Sequence, residues 1–195
     1  MDNAHSQQAH QEHGRMMKMG WGMFAAMVAT STIVMFFLMY QAVYRFDHAT
    51  FSQTRMWMAF VMGAVMGIIM LGFMWSMFMA TQRMKMAVAA ALLAMFAIAL
   101  WLVRSQQTVG DVSFMKSMIP HHSIAISNAR KAQITDPRVQ KLADEIISSQ
   151  VREIAEMKLL VADIEKNGSR GKTVLPRIPA KVTPDMQPKI EEAVQ

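Results

Sequence analysis

The chain has 195 residues, of which 53% are hydrophobic and only 17% are charged, and its formal net charge is +6. Soluble domains carry about 25% charged residues, so this composition argues against one large soluble core and favours membrane spans. The 23 methionines stand beside no cysteine, which excludes disulfides, zinc-thiolate clusters, iron–sulfur sites and cysteine nucleophiles.

Three long apolar runs follow a polar leader of residues 1–19. They occupy residues 20–44, 56–80 and 86–103, within a membrane region of residues 20–104. A helix needs about 20 residues to cross a bilayer, and the runs meet or approach that length. The first run is longer than the core of a cleaved signal peptide and no small-residue cleavage site follows it, so we interpret it as a retained anchor. The sequence therefore predicts three transmembrane helices, with the lipid bilayer as partner.

The basic residues that flank the apolar runs predict the orientation of the protein in the membrane. These residues are nearly balanced between the two sides of the membrane, with a small excess that predicts the amino terminus in the cytoplasm and the C-terminal segment outside it.

Residues 168–195 are rich in Gly, Pro, Lys and Arg, which predicts a mostly irregular tail. Because Lys and Arg are scattered and the tail lacks interleaved aromatic residues, the sequence argues against nucleic-acid binding.

Two amphipathic helices are predicted over residues 111–167. Asp111 is a candidate N-cap for the first helix, and Asp136 followed by Pro137 is the expected start of the second. Gly168 is the expected stop. The short link between the two helices makes them a helical hairpin.

Each hairpin helix has an apolar stripe that contains polar side chains. On the first helix, residues placed at 100° per position give a stripe of Met115, Met118, His122, Ile126 and Ala129, flanked by Phe114 and His121. On the second, they give a stripe of Val139, Leu142, Ile146, Gln150, Glu153, Met157, Leu160 and Ile164. A buried polar group without a partner costs about 1–3 kcal/mol, so His122 is expected to face Gln150 and Glu153.

The donors on these stripes suit a soft metal ion. Met118 and His122 lie one turn apart, Met115 lies one turn earlier, and His121 is adjacent. Met157 could close the site from the second helix. Thioether and imidazole donors without thiolate favour copper, particularly the cuprous ion, and silver is expected to compete. The alternative is that Met fills the core and His122 is an ordinary hydrogen-bonded core residue.

The hairpin also carries two sequence motifs. The first is Asp111-x-x-Phe114-Met115-x-x-Met118-Ile119-Pro120-His121-His122, and the second is Gln150-x-x-Glu153-Ile154-x-x-Met157. With these motifs the segment from about Asp111 to Lys166 resembles the bacterial family called domain of unknown function 305. The sequence departs from the family pattern at Ser123-Ile124, where Gln-Gly is usual.

The resemblance implies that the hairpin is of helical, ferritin-like bundle type. Together with the three apolar runs, this predicts an all-α protein in which three transmembrane helices precede the hairpin. The resemblance also implies a secreted or membrane-anchored bacterial protein linked to copper binding and tolerance. With the predicted spans and their flanking charges, the expected location is the inner membrane, with the C-terminal domain on the periplasmic or extracellular side. The implied ligands are Met115, Met118, His121, His122 and Met157, with Gln150 and Glu153 in supporting roles. Family members often repeat the hairpin, so a second subunit could complete a four-helix bundle. Copper-handling proteins are the other expected partners, and no enzymatic activity is expected.

Two features leave other functions open. Methionines follow a four-residue spacing, at Met19, Met23, Met27, Met35 and Met39, where Ser31 interrupts the series, and at Met58, Met62, Met66, Met70 and Met74. They could conduct copper or simply pack between helices, where the GxxxG spacing of Gly63 and Gly67 would allow close approach or dimerisation. The leader could bind metal weakly through His5, His10, His13, Met16, Met17 and Met19. A structural, oligomerising membrane protein without metal is the remaining alternative.

Overall fold

The computed structural model describes residues 20–78 and 80–194, which form six α-helices and no strand. The helices are α1 (Trp21–Leu38), α2 (Gln53–Phe73), α3 (Gln82–Ser105), α4 (Asp111–Lys131), α5 (Pro137–Asn167) and α6 (Gln187–Glu192). A turn of 3-10 helix, Phe46–His48, lies between α1 and α2. The all-α prediction is confirmed. The chain divides into a first unit of residues 20–41 and 53–109 and a second unit of residues 42–52 and 110 onward.

Helices α1, α2 and α3 are each long and apolar enough to span a membrane. Helix α1 ends at Leu38, before the end of the apolar run, and residues 42–52 belong to the second unit. The Arg55 guanidinium donates a hydrogen bond to the Met39 carbonyl and so stabilises this end of the helix. Helix α2 begins and ends earlier than its apolar run, whereas α3 extends beyond both ends of its run.

Helix α2 lies between α1 and α3 and contacts them through small residues. Its buried positions include Ala59, Gly63, Ala64 and Gly67. A β-carbon at Gly63 would lie 2.1 Å from the Thr32 Oγ1 atom of α1, and one at Gly67 would lie 3.0 Å from Leu92 Cδ2 of α3. Small residues of this kind let helix backbones approach closely. The GxxxG spacing therefore serves packing within this unit.

The methionine series of α2 does not line one face of the helix. Met58 and Met62 are exposed, whereas Met70 and Met74 pack against a core of buried Phe and Leu side chains. Steps of four residues drift round an α-helix by about 40° each, which accounts for this change of surroundings.

The boundaries of α5 follow their local signals. The Asp136 carboxylate accepts a hydrogen bond from the Arg138 N–H at 2.9 Å, and Pro137 occupies the first turn. Gly168 ends the helix with φ +80°, a left-handed conformation that favours glycine. Both predictions are confirmed. The capping role predicted for Asp111 is wrong by one position, because Gly110 is the N-cap and Asp111 is the first helical residue.

Replacing Asp136 by Ala is expected to lower the melting temperature of the protein in detergent by a few degrees. The change removes both the N-cap bond and the hydrogen bonds from the Arg138 guanidinium. Asp111→Ala is the matched control, because it removes a carboxylate at a helix start but no N-cap bond. Equal melting temperatures for the two variants, measured by circular dichroism, would contradict this assignment.

The core of the hairpin differs from the predicted stripes. It comprises Met115, Ile119, Ile126, Ile154, Met157 and Val161. On α5 the buried face is shifted towards Ala143, Ile154 and Val161, and Leu142 and Leu160 are about half exposed. On α4 a second side is buried, because residues 42–52 pack against it.

Candidate metal centre

Three of the candidate ligands are methionines gathered in the hairpin core. Met115 of α4 and Met157 of α5 are 7% and 9% exposed, and both belong to one buried cluster. Met118, one turn after Met115, is partly buried and packs against the same cluster. The fold thus brings three thioethers from two helices into one apolar region.

His122, one helical turn after Met118, lies beside a carboxylate from the facing helix. Its Nδ1 atom is 3.4 Å from Glu153 Oε2, and 12% of its side chain is exposed. That nitrogen is buried and makes no hydrogen bond. The predicted approach of His122 to Glu153 is confirmed, but the imidazole nitrogen remains without the hydrogen bond that a buried polar atom normally has.

Two further candidate residues have different surroundings. Gln150, one turn before Glu153, has a buried Oε1 atom that also lacks a hydrogen bond. His121 is exposed, and its ring centroid is 6.0 Å from that of His122. The two histidines of the motif therefore differ, with one mostly buried and one open to solvent.

Burial lowers the pKa of His122 below its ordinary value of 6.5. The Glu153 carboxylate opposes this shift and His121 adds to it. A lowered pKa keeps the imidazole neutral near pH 7, which is the form that binds metal ions.

The donor set at this position fits a soft ion. Within residues 20–78 and 80–194, no group of three or more His, Asp or Glu side chains is arranged to hold a metal ion. The candidate donors of the hairpin are instead three thioethers and an imidazole whose Nδ1 atom has no hydrogen bond and has Glu153 Oε2 3.4 Å away, a donor combination that suits Cu(I) or Ag(I). The leader residues His5, His10, His13, Met16, Met17 and Met19 lie outside the described residues.

Sequence reasoning missed the part that residues 42–52 play in this unit. Pro120 lies inside α4 and cannot donate a backbone hydrogen bond, so the Lys116 carbonyl needs another donor. Thr50 supplies it, through its Oγ1 at 2.6 Å. The proline was a signal that some donor must approach this side of the helix, but it did not identify the segment.

Comparison with known proteins supports the resemblance and extends it. The family described as Domain of unknown function (DUF305) matches residues 74–191, which is more than half of the chain. The match is longer than the 111–166 segment recognised from the motifs, and it includes all of α3.

One curated relative is "Uncharacterized protein L153" of Acanthamoeba polyphaga mimivirus. It is 38% identical over 66 residues, which cover 33% of this chain and 43% of the relative. The aligned part is therefore less than half of the relative's own length. No solved structure matches the chain significantly.

Proposed function

The chain belongs to the family Domain of unknown function (DUF305), and we propose that it is a membrane-anchored protein that binds copper as Cu(I). The proposed ligands are Met115, Met118, His122 and Met157, with His121 at the exposed edge. The protein would sequester copper or transfer it to copper-handling partners, and it would not be an enzyme. Silver is expected to bind at the same site.

The observation that carries this proposal is the buried Nδ1 atom of His122. It has no hydrogen bond, and His122 lies one helical turn after Met118, which packs against the cluster that contains Met115 and Met157. Although Glu153 Oε2 is 3.4 Å away, a buried nitrogen without a hydrogen bond costs free energy in the metal-free protein, and a bound soft ion would offset that cost. The proposed role involves no chemical reaction. The residues hold the bound ion and keep it away from water.

We place the protein in a bacterial cytoplasmic membrane with the hairpin on the periplasmic side. If the three candidate spans each cross the membrane once, the hairpin lies on the side opposite the amino terminus, and the small excess of basic residues favours a cytoplasmic amino terminus. In that oxidising compartment a thioether and imidazole site has the advantage of needing no reduced thiol.

The test is a titration of the full chain in detergent micelles with Cu(I), in competition with a chromogenic Cu(I) chelator. The unmodified chain is expected to bind one ion tightly. Replacing Met115, Met118 and Met157 together by Leu keeps the volume of the core and removes the sulfurs, so the fold is retained while affinity falls by at least about 100-fold. Equal affinities for the two proteins would overturn the proposal.

Two controls separate this site from other binding. Met58→Leu combined with Met62→Leu removes two exposed thioethers from α2 and is expected to leave the affinity unchanged. A chain with His5, His10 and His13 replaced by Ala measures binding by the leader. One ion per two chains in the titration would indicate that a second subunit completes the site.

A further inference from the structure

Residues 42–52, here called the strap, contact α4 at a position where one backbone carbonyl of the helix receives no hydrogen bond from the helix itself. Pro120 has no N–H, so the carbonyl of Lys116 lacks the donor that the helix would otherwise provide. The Thr50 hydroxyl donates to this carbonyl at 2.6 Å. A helix with an interior proline is therefore stabilised from outside by one side chain of the strap.

A second contact lies beyond the proline, at Ser123. This side chain is completely buried, and its Oγ accepts a hydrogen bond from the Tyr44 N–H at 2.8 Å. The same Oγ is 3.0 Å from Nδ1 of His48, which is buried. A hydroxyl that already accepts from an amide can donate its own proton to a neutral imidazole, so all three groups are satisfied together.

The strap also reaches Ser117 and the second helix of the hairpin. The Ser52 hydroxyl donates to Ser117 Oγ at 3.0 Å. Asp47 pairs with Lys158 at 2.7 Å, directly after Met157 in α5. The contacts of the strap thus fall on both sides of the turn Met118–His122 and beside the ligand expected from α5.

We propose that the strap is part of the metal-binding unit, and that Thr50, His48 and Ser123 are positioning residues for the Met118–His122 turn. This inference rests on the proposed function. Met118 precedes Pro120 and His122 follows it, so any change of bend at the proline changes the distance between these two donors. Metal sites need their donors held within about 0.5 Å, and the Thr50 bond fixes the backbone at this point.

The experiment compares Thr50→Val with Thr50→Ser in the full chain in detergent. Valine keeps the shape of the side chain and removes the hydroxyl, whereas serine keeps the hydroxyl. Competition titration with Ag(I) is expected to show about 10–100-fold weaker binding for Thr50→Val, with Thr50→Ser close to the unmodified chain. Thr54→Val is the matched control, because Thr54 donates to Gln106 within the first unit and its loss should leave affinity unchanged.

Hydrogen exchange in the absence of metal gives a second readout. Amides of residues 117–123 are expected to exchange faster in Thr50→Val than in Thr50→Ser. If the unmodified chain binds Ag(I) and Thr50→Val binds equally well, the positioning role is overturned and the proposed function stands. Serine as weak as valine would also overturn the role of the hydroxyl. An unmodified chain that binds no metal would overturn the proposed function and this inference together.

Discussion

Replacing His122 by Leu is expected to stabilise the metal-free protein and to weaken its binding of Cu(I). The buried Nδ1 atom has no hydrogen bond, so its removal should raise the free energy of unfolding by about 1 kcal/mol. The same change removes the imidazole ligand, and we expect affinity to fall by at least about 100-fold, beyond the usual cost of altering a supporting residue. A His122→Leu protein that is more stable but binds Cu(I) more weakly would show that His122 serves metal binding rather than stability.

The stability effect should depend on pH. Burial holds the pKa of His122 below its ordinary value of 6.5, so the unfolded chain binds a proton first as the pH falls below that value. The native state of the unmodified chain therefore loses stability on acidification until the folded imidazole is protonated as well. His122→Leu should reduce this loss. His48, whose pKa is also lowered by burial, accounts for a remaining part.

Denaturant unfolding of the full chain in detergent at several pH values, together with Cu(I) competition, measures these effects. Ile126→Leu is the control for a core change in the same helix, with a stability change below about 1.5 kcal/mol and no change in affinity. A metal-free His122→Leu protein less stable than the unmodified chain near pH 6, or one that binds Cu(I) normally, would contradict the assignment of His122.

Replacing Gly63 by Ala is expected to destabilise the three-helix unit by about 1–3 kcal/mol, as other overpacked sites are destabilised. The added β-carbon would lie 2.1 Å from Thr32 Oγ1. That oxygen has little freedom to move, because its hydroxyl donates to the Val28 carbonyl at 2.8 Å. Helices α1 and α2 would have to separate slightly.

Gly72→Ala is the matched control in the same helix. Nothing lies within 4 Å of a β-carbon at Gly72, so this change should be neutral or slightly stabilising. Thr32→Ala should recover part of the stability lost in Gly63→Ala, since it removes the clashing hydroxyl. These effects are measured by thermal unfolding in detergent. Equal stability for Gly63→Ala and Gly72→Ala would mean that the contact between α1 and α2 at Gly63 is absent.

The three candidate membrane spans show which features can be predicted from short-range sequence patterns. Uninterrupted apolar runs identify all three, because apolar length alone decides whether a helix can cross a bilayer. The same runs do not tell which residues meet. Gly63 and Gly67 gave a spacing that fits packing within the chain or dimerisation equally well, and only the positions of Thr32 and Leu92 show that they pack internally.

In the hairpin, too, the features that depend on nearby residues are the ones that the sequence predicts. Asp136, Pro137 and Gly168 mark the boundaries of α5 because capping depends on a few neighbouring residues. The motif spacing likewise anticipates that Met115 and Met157 share a core and that His122 meets Glu153. These contacts follow from helical periodicity and from the short link that makes α4 and α5 neighbours.

The helical class, the three candidate spans and the approach of His122 to Glu153 across the hairpin can all be predicted from the sequence. The residues that pack against the other side of α4 are known only from the folded chain. Thr50 bonds to Lys116 and His48 approaches Ser123 across separations of 66 and 75 residues, over which no periodic pattern carries information. Pro120 requires an external donor for the carbonyl it leaves free, but any segment with a hydroxyl could meet that need, and the path of the folded chain selects the strap.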